Sequence, residues 1–193
     1  MRHKIPQVTL ICLTNQDFEG HKDAIDESCK DIEFGAVKLI WDEKCNSIDK
    51  WNEKIIKELP NYVTTSHALL VHADGYVSNP ELWNPEWLEL DYIGAPWPLP
   101  TDDYSYRDEE GGLVRVGNSV SLRSKKLMDL VATRPMEYHY GNNNEDGQIS
   151  CWNRKWLESQ GCKFATLEQA VHFSKEHEIP ENKDLETFMF HQI

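Results

Sequence analysis

The chain has 193 residues, of which 39% are hydrophobic and 27% charged, a composition typical of one globular domain and not of a low-complexity or disordered chain. It carries 20 Lys and Arg but 33 Asp and Glu, which gives a formal net charge of −13. Nucleic acids and anionic membranes bind basic surfaces, so neither is expected as a partner. The apolar runs are too short for a transmembrane segment or a secretory signal, and we therefore expect an intracellular, cytoplasmic protein.

Five cysteines are spread along the chain without a C-x-x-C pair. An odd number without paired spacing indicates neither a disulfide framework nor a structural zinc site. We expect buried free thiols at all five positions: Cys12, Cys29, Cys45, Cys151 and Cys162.

The first part of the chain alternates strand and helix patterns. Apolar runs predict strands at 8–13, 36–41 and 68–73, and apolar residues at helical spacing predict helices at 20–32 and 48–59. Strands that alternate with helices indicate an α/β domain with a mostly parallel central sheet flanked by helices. In such a sheet, ligands bind at the carboxyl ends of the strands.

The second part is less regular, because prolines interrupt an aromatic stretch. Segment 101–112 carries five acidic residues and ends in Gly-Gly, which predicts a mobile surface loop that could act as a lid. The remaining predicted elements are a strand at 114–122, helices at 124–132 and 148–160, and a small strand at 163–165. No internal repeat is present, and we expect one domain spanning residues 1–193.

The tetrapeptide His72-Ala73-Asp74-Gly75 is the most informative sequence feature. A buried strand would deliver the side chains of His72 and Asp74, two residues apart, to the same face at its carboxyl end. Both side chains can bind a metal, and a hard cation such as Mg²⁺ or Mn²⁺ can bridge a carboxylate and a nucleotide diphosphate. In isolation, an ordinary turn explains Asp74-Gly75 more simply.

Two further candidates lie in the last third of the chain. Glu145 and Asp146 follow Asn144 at the start of a helix, where capping alone can explain acidic residues. Either carboxylate could also act as a general base on a hydroxyl group. His191 follows the apolar segment 188–190, and a bound metal would anchor a tail that otherwise frays, although a surface histidine is the simpler interpretation.

Small polar and aromatic residues supply the remaining candidates. The run 117–124 (GNSVSLRS) would either let a ligand approach the backbone closely or form a β-bulge. Trp83 and Trp87, four residues apart, predict packing. Trp97, beside the acidic loop, is the better candidate for stacking on a sugar ring.

Three segments resemble known sugar-transferring domains: 68–83 (ALLVHADGYVSNPELW), 91–98 (DYIGAPWP) and 116–124 (VGNSVSLRS). Their order resembles the GT-A class of nucleotide-sugar glycosyltransferases and, more narrowly, an uncharacterised family of short glycosyltransferase-like domains. The resemblance covers about residues 8–191. In that family the third segment commonly contains G-N-G-G-F-S-L-R-S, whereas Ser119-Val120 replaces the Gly-Gly here.

The resemblance implies a GT-A-like, Rossmann-related domain with a nucleotide-binding half at about 7–76 and an acceptor-side half at about 77–193. It assigns His72-Ala73-Asp74 to the D-x-D motif and His191 to a C-terminal metal ligand, so that Asp74, His191 and His72 would hold Mn²⁺ or Mg²⁺. The residues implied to bind the nucleotide-sugar donor are Thr14, Asn15, Asp42, His72, Asp74, Asn118 and Ser121.

The implied activity is transfer of a sugar, such as a hexose, from a nucleotide diphosphate-sugar to a hydroxyl acceptor, for example a glycan. A UDP-sugar is the first choice of donor. In an inverting enzyme, Asp146 would deprotonate the acceptor, with Glu145 as the second choice.

Three other functions compete with this interpretation. A catalytically silent nucleotide-sugar or glycan binding module would explain His72 in place of an acid and the lost Gly-Gly. A nucleotidyltransferase is less favoured, because segment 14–20 contains no basic phosphate-binding residue. A metallohydrolase is less favoured still, because no H-x-H or H-E-x-x-H spacing occurs.

Overall fold

A continuous five-stranded sheet forms the centre of the computed structural model, which describes residues 2–192. The strand order is β2-β1-β3-β5-β4. The strands are β1 His3–Thr14, β2 Ile32–Trp41, β3 His67–Leu70, β4 Tyr92–Pro96 and β5 Val116–Ser124. Two short parallel strands, β6 (Ser174–Lys175) and β7 (Met189–Phe190), form a separate ribbon.

Helices connect and cover these strands. Within residues 2–192 the α-helices are α1 Phe18–Ser28, α2 Ile48–Lys57, α3 Lys125–Ala132, α4 Glu145–Ser150, α5 Arg154–Ser159 and α6 Leu167–Phe173. The same described residues include three 3₁₀ helices, at Leu59–Tyr62, Pro80–Leu82 and Pro85–Glu89. None of the helices in this part of the chain combines the length and apolar character needed to cross a bilayer.

The α/β class and the three predicted N-terminal strands are confirmed, but the prediction of a mostly parallel sheet is wrong. β1 pairs in parallel with β2 and β3, whereas β5 is antiparallel to both β3 and β4. Helices link the first three strands and provide the crossovers that parallel pairing requires. No helix connects β4 to β5, so the chain returns in the opposite direction and the sheet is mixed.

Alternate residues of β1 enter two different cores. Val8, Leu10 and Cys12 belong to the cluster that includes α1 and α6, whereas Ile11 and Leu13 belong to the cluster that includes α2 and α3. Both faces of the strand are therefore covered. This burial explains why residues 10–13 of β1 (LICL) are consecutively apolar instead of alternating between apolar and polar residues.

Two elements predicted in the second part differ in the structure. The predicted helix at 148–160 is divided into α4 and α5, because the buried side chain of Asn153 donates a hydrogen bond to the carbonyl of Gln148 (2.9 Å). The small strand predicted at 163–165 is reduced to a single bridge with Tyr92.

The acidic segment 101–112 forms a hairpin loop that contacts α5; its predicted mobility stays a prediction. The Asp108 carboxylate accepts the backbone N–H of Gly112 at 2.7 Å. The Glu109 carboxylate accepts the backbone N–H of Lys155, at the start of α5, at 2.9 Å. The Asp108 contact closes the loop on itself, and the Glu109 contact attaches it to α5.

All five cysteines are free thiols, as predicted, and four of them are buried; Cys29 is half-buried. Burial raises the pKa of Cys12 to about 12, so its thiol is protonated at neutral pH.

A buried ion pair joins β5 to α4. Nη2 of Arg123 lies 2.7 Å from Oε2 of Glu145, and the two side chains are 1% and 2% exposed. Arg123 also donates to Oγ of Ser121 (2.8 Å) and to the carbonyl of Ser119 (3.0 Å). Removing one partner of such a pair leaves an uncompensated buried charge, which is strongly destabilising.

We expect Arg123→Met to lower the free energy of unfolding by about 3 to 5 kcal/mol in urea titrations at pH 7. Adding Glu145→Gln should restore part of this loss, because the isolated charge is then removed. Lys22→Met provides the control: it breaks the exposed Lys22–Asp26 pair and should have little effect. Equal effects of Arg123→Met and Lys22→Met would contradict the prediction.

Candidate functional site

Two cavities of several hundred cubic ångströms lie in the described part of the chain. The first, of about 720 Å³, opens at the carboxyl ends of β1 and β3, and we call it the strand-end cavity. The second, of about 880 Å³, lies beside α4 and the 101–112 loop, and we call it the aromatic cavity. Among the residues that line the strand-end cavity are Thr14, Asn15, His21, Trp51, His72, Asp74, Ser119 and His191.

The structure brings together five of the predicted ligand-binding residues. Thr14, Asn15, His72, Asp74 and His191 all line the strand-end cavity, although they come from three distant parts of the chain.

Three other predicted donor-binding residues do not line either cavity. Asp42 forms an ion pair with Lys54 (2.6 Å). Asn118 and Ser121 are buried within β5, and Ser121 Oγ donates to the carbonyl of Ser119 (2.8 Å). Within the 117–124 run, Ser119 lines the strand-end cavity. The sequence analysis did not single out Ser119 as a ligand.

Residues 72–75 form a turn and not the end of a strand. β3 ends at Leu70, and the backbone groups of His72 and Gly75 pair with each other at 2.8 and 3.2 Å. The simpler interpretation of Asp74-Gly75 as a turn is therefore confirmed. Even so, the side chains of His72 and Asp74 both line the strand-end cavity.

His72 lies at the centre of a group of rings. Its Nε2 is 2.8 Å from Oγ of Ser119, and its ring centroid is 5.3 Å from that of Trp51 and 5.6 Å from that of His191. Burial, followed by the neighbouring His191 imidazole, lowers the pKa of His72 to about 3. The imidazole is therefore neutral at physiological pH.

The His191 ring lies between two carboxylates, those of Glu176 and Asp74. Its Nδ1 lies 3.3 Å from Oε1 of Glu176, and its Nε2 lies 3.6 Å from Oδ1 of Asp74. Burial lowers the pKa of His191. The nearby carboxylates of Glu176 and Asp74 raise that pKa by more than burial lowers it, so the net shift is upward. Burial raises the pKa of Glu176, but His191 lowers it, and the net shift is downward.

The Glu176–His191 pair forms the junction between the two cavities. His191 lines the strand-end cavity, whereas Glu176 lines the aromatic cavity. The sequence analysis missed Glu176, because nothing in the local sequence after α6 distinguishes it from a solvated glutamate.

Backbone contacts anchor the C-terminal segment, which the sequence analysis expected to fray unless it was tethered. The N–H of His191 donates to the carbonyl of Lys175 (2.9 Å), and that of Gln192 donates to the carbonyl of Asp74 (2.8 Å). Gly75 makes this arrangement possible, since a Cβ there would lie 2.5 Å from Val120 and 2.8 Å from the His191 ring.

Asp146 lines the aromatic cavity, but Glu145 does not. Burial, followed by the neighbouring Glu145 carboxylate, raises the pKa of Asp146 to about 7. A carboxylate with such a pKa is suited to exchange protons at neutral pH. Glu145 is instead held in the buried ion pair with Arg123, where it has a structural partner and no contact with a cavity.

The β-bulge interpretation of the 117–124 run is confirmed. The register between β4 and β5 shifts after Ile93, and Asn118 adopts φ of +89°. The partner that approaches Gly117 closely is the ring of Trp97, since a Cβ at position 117 would lie 1.9 Å from it. Trp97 also lines the aromatic cavity.

The packing prediction for the other two tryptophans is confirmed. Trp83 and Trp87 make an edge-to-face contact with ring centroids 5.5 Å apart, and Trp87 is buried in the core.

Asp74 and His191 are the residues of the strand-end cavity that could hold a divalent cation shared with a ligand. Within residues 2–192, no cluster of three or more His, Cys, Asp or Glu has the spacing of a self-sufficient metal site. The Asp74 side chain is 58% exposed, beside His191, and the described lining of the strand-end cavity contains no Lys or Arg. Mg²⁺ is commonly held by one or two carboxylates together with substrate phosphates, which is the arrangement that these residues suit.

A family model matches residues 39–191, which is most of the chain. The chain belongs to this family, described as "Protein of unknown function (DUF5672)". The match includes the 72–75 turn, Asp146, Glu176 and His191. No curated protein matches the chain.

Among solved structures, the fold is similar to that in "Crystal structure of a glycosyltransferase involved in the glycosylation of the major capsid of PBCV-1". The TM-score is 0.60, and the similarity covers 95% of this chain and 91% of that chain at 10% sequence identity. At this identity the comparison shows the shared fold.

We expect Gly75→Ala to displace the His191 ring, because the new methyl group would overlap both that ring and Val120. Overpacking of this kind should lower the free energy of unfolding by about 1 to 3 kcal/mol. The measurement is the His191 ring resonance in two-dimensional NMR spectra, assigned with His191→Gln. An unchanged resonance in Gly75→Ala would contradict the proposed packing role of Gly75.

Proposed function

We propose that this chain is a GT-A-type glycosyltransferase that moves a sugar from a nucleotide diphosphate-sugar to a hydroxyl acceptor. The observation that carries the proposal is the meeting of two cavities at the Glu176–His191 pair. Such an arrangement suits a reaction that joins two substrates at one point. The shared fold with a glycosyltransferase supports the same function.

The strand-end cavity is the proposed donor site. Its volume of about 720 Å³ is within the usual range for small-molecule sites, and it lies at the carboxyl ends of parallel strands. Thr14 and Asn15 follow β1 and would contact the nucleotide, for which UDP is our first choice. Asp74 and His191 would hold Mn²⁺ or Mg²⁺, which would neutralise charge on the departing diphosphate.

Asp146 is the proposed general base of an inverting transfer. The acceptor oxygen forms a bond to the anomeric carbon, and the bond between that carbon and the diphosphate oxygen breaks. The acceptor proton passes to the Asp146 carboxylate, and the electron pair of the broken bond leaves with the diphosphate. The aromatic cavity, which contains Asp146, would hold the acceptor.

A second candidate is a silent nucleotide-sugar binding module. It is favoured by one observation: the residue in place of the first D-x-D acid is a neutral histidine engaged with Ser119. Such a module would bind the donor in the same cavity without turnover. Transfer and hydrolysis assays separate the two functions.

Donor binding can be tested by thermal unfolding with UDP-sugars and other nucleotide-sugars, each with and without Mn²⁺. A ligand at 100 times its Kd should stabilise the fold by about 2.7 kcal/mol, and we expect this only when nucleotide and cation are both present. Asp74→Ala should abolish the shift, whereas Asp184→Ala, an exposed aspartate outside both cavities, should retain it. The absence of a shift with every nucleotide would exclude the proposed donor site.

The role of Asp146 predicts a pH-dependent rate. The base must be unprotonated, so kcat/KM for transfer should rise as the pH increases through about 7 and should be lost at lower pH. Asp146→Asn should lower kcat by about 10²- to 10⁴-fold and leave the nucleotide-dependent thermal shift intact. An Asp146→Asn enzyme with the wild-type rate and pH profile would assign the base elsewhere.

A further inference from the structure

We propose that the aromatic cavity binds a saccharide acceptor that is neutral or carries amino groups, and that it discriminates against anionic sugars. The inference rests on the proposed function and names the acceptor class for the same site. Three features of the cavity carry it: paired aromatic rings, the charge of its wall and the absence of strand residues from its lining.

Three pairs of rings line the cavity. Trp97 stacks on Tyr106, with centroids 4.6 Å apart and an interplanar angle of 21°. His139 stacks on Trp152 at 4.5 Å and 19°. The third pair is Tyr104–Tyr140, at 4.4 Å.

The third pair joins two separate loops and is largely exposed. Tyr104 belongs to the 101–112 loop and is 54% exposed, and Tyr140 belongs to the turn before α4 and is 75% exposed. Burial therefore does not account for these two rings. Exposed ring faces carry negative electrostatic potential, so they attract the C–H faces of a sugar ring and, more strongly, an ammonium group.

Positive φ angles at residues other than glycine occur in or next to the walls of the two cavities. Within residues 2–192, four residues other than glycine adopt positive φ: Asp17, Tyr106, Asn118 and Tyr140. The two tyrosines line the aromatic cavity and Asp17 lines the strand-end cavity. Asn118 immediately precedes Ser119 of the strand-end cavity. Bulky residues rarely adopt this conformation, so the ring positions of Tyr106 and Tyr140 are imposed by their surroundings.

The charge of the aromatic cavity selects against anions. Its lining contains six acidic residues, of which Asp146 is only partly ionised at neutral pH, but only two arginines. Carboxylates accept hydrogen bonds from sugar hydroxyl groups and attract amino groups, whereas they repel uronate, sulfate and phosphate groups. Within the described chain, neither Asp103 nor Glu137 forms an ion pair that would cancel its charge.

The cavity wall favours a saccharide over an extended peptide. None of its described lining residues belongs to a strand, since the wall consists of loops, turns and helix ends. An extended peptide commonly adds to an exposed strand edge, which this cavity does not offer. Stacked rings with carboxylates around them suit a flat, hydroxyl-rich ring better.

The test uses an array of immobilised neutral, amino-bearing and acidic glycans together with unmodified peptides. Labelled wild-type protein should bind neutral or amino-bearing glycans and bind acidic glycans at least tenfold more weakly. Isothermal titration with the best soluble glycan should give about tenfold weaker binding for Tyr104→Ala/Tyr140→Ala, because both open ring faces are lost. Tyr138→Ala, which removes an equally exposed tyrosine outside both cavities, should bind as wild type.

Preference for acidic glycans, binding to peptides alone or the absence of any glycan binding would overturn the inference. Equal affinity of the double tyrosine variant and the wild type would overturn it as well. The nucleotide-dependent thermal shift is measured on the same wild-type sample. A shift without glycan binding would leave the donor site intact and reject only the saccharide acceptor, whereas glycan binding without a shift would reject the glycosyltransferase function.

Discussion

The buried Arg123–Glu145 ion pair determines how the rest of the site is arranged. Each of these charges would be very costly in the core without the other. The contact of 2.7 Å between Nη2 of Arg123 and Oε2 of Glu145 therefore holds α4 against β5. β5 carries Ser119, which contacts His72, and α4 carries Asp146 beside Glu145. The ion pair thereby fixes the position of the proposed base relative to the strand-end cavity. The same Glu145 charge contributes to the raised pKa of Asp146.

The C-terminal segment completes the site from the other side. Backbone hydrogen bonds tie it to Lys175 and Asp74, and Gly75 leaves the space that the His191 ring occupies. His191 and Glu176 then form the junction between the donor and acceptor cavities in the proposed function. Because the Glu176–His191 pair contributes to both walls, a ligand in one cavity would alter the electrostatic environment of the other.

Much of the candidate site was predictable from the sequence, but its internal contacts were not. Asp74, His191, Asp146 and Trp97 all line one of the two cavities, and resemblance to known motifs was the signal for the first three. Glu145 and Asp146 are adjacent acidic residues at the start of the same helix, so the local sequence does not distinguish them. Packing does, because it pairs Glu145 with the buried Arg123.

The sequence by itself determined the local elements. The apolar run of β1, the capping residue Ser124 and the helical spacing in α2 depend on neighbours within a few residues, and they predict the α/β class. Tertiary structure decided the mixed sheet, the junction formed by Glu176, and the Tyr104–Tyr140 pair. The physical reason is that these features join segments far apart in the chain, and their contacts arise from packing and burial that no local pattern records.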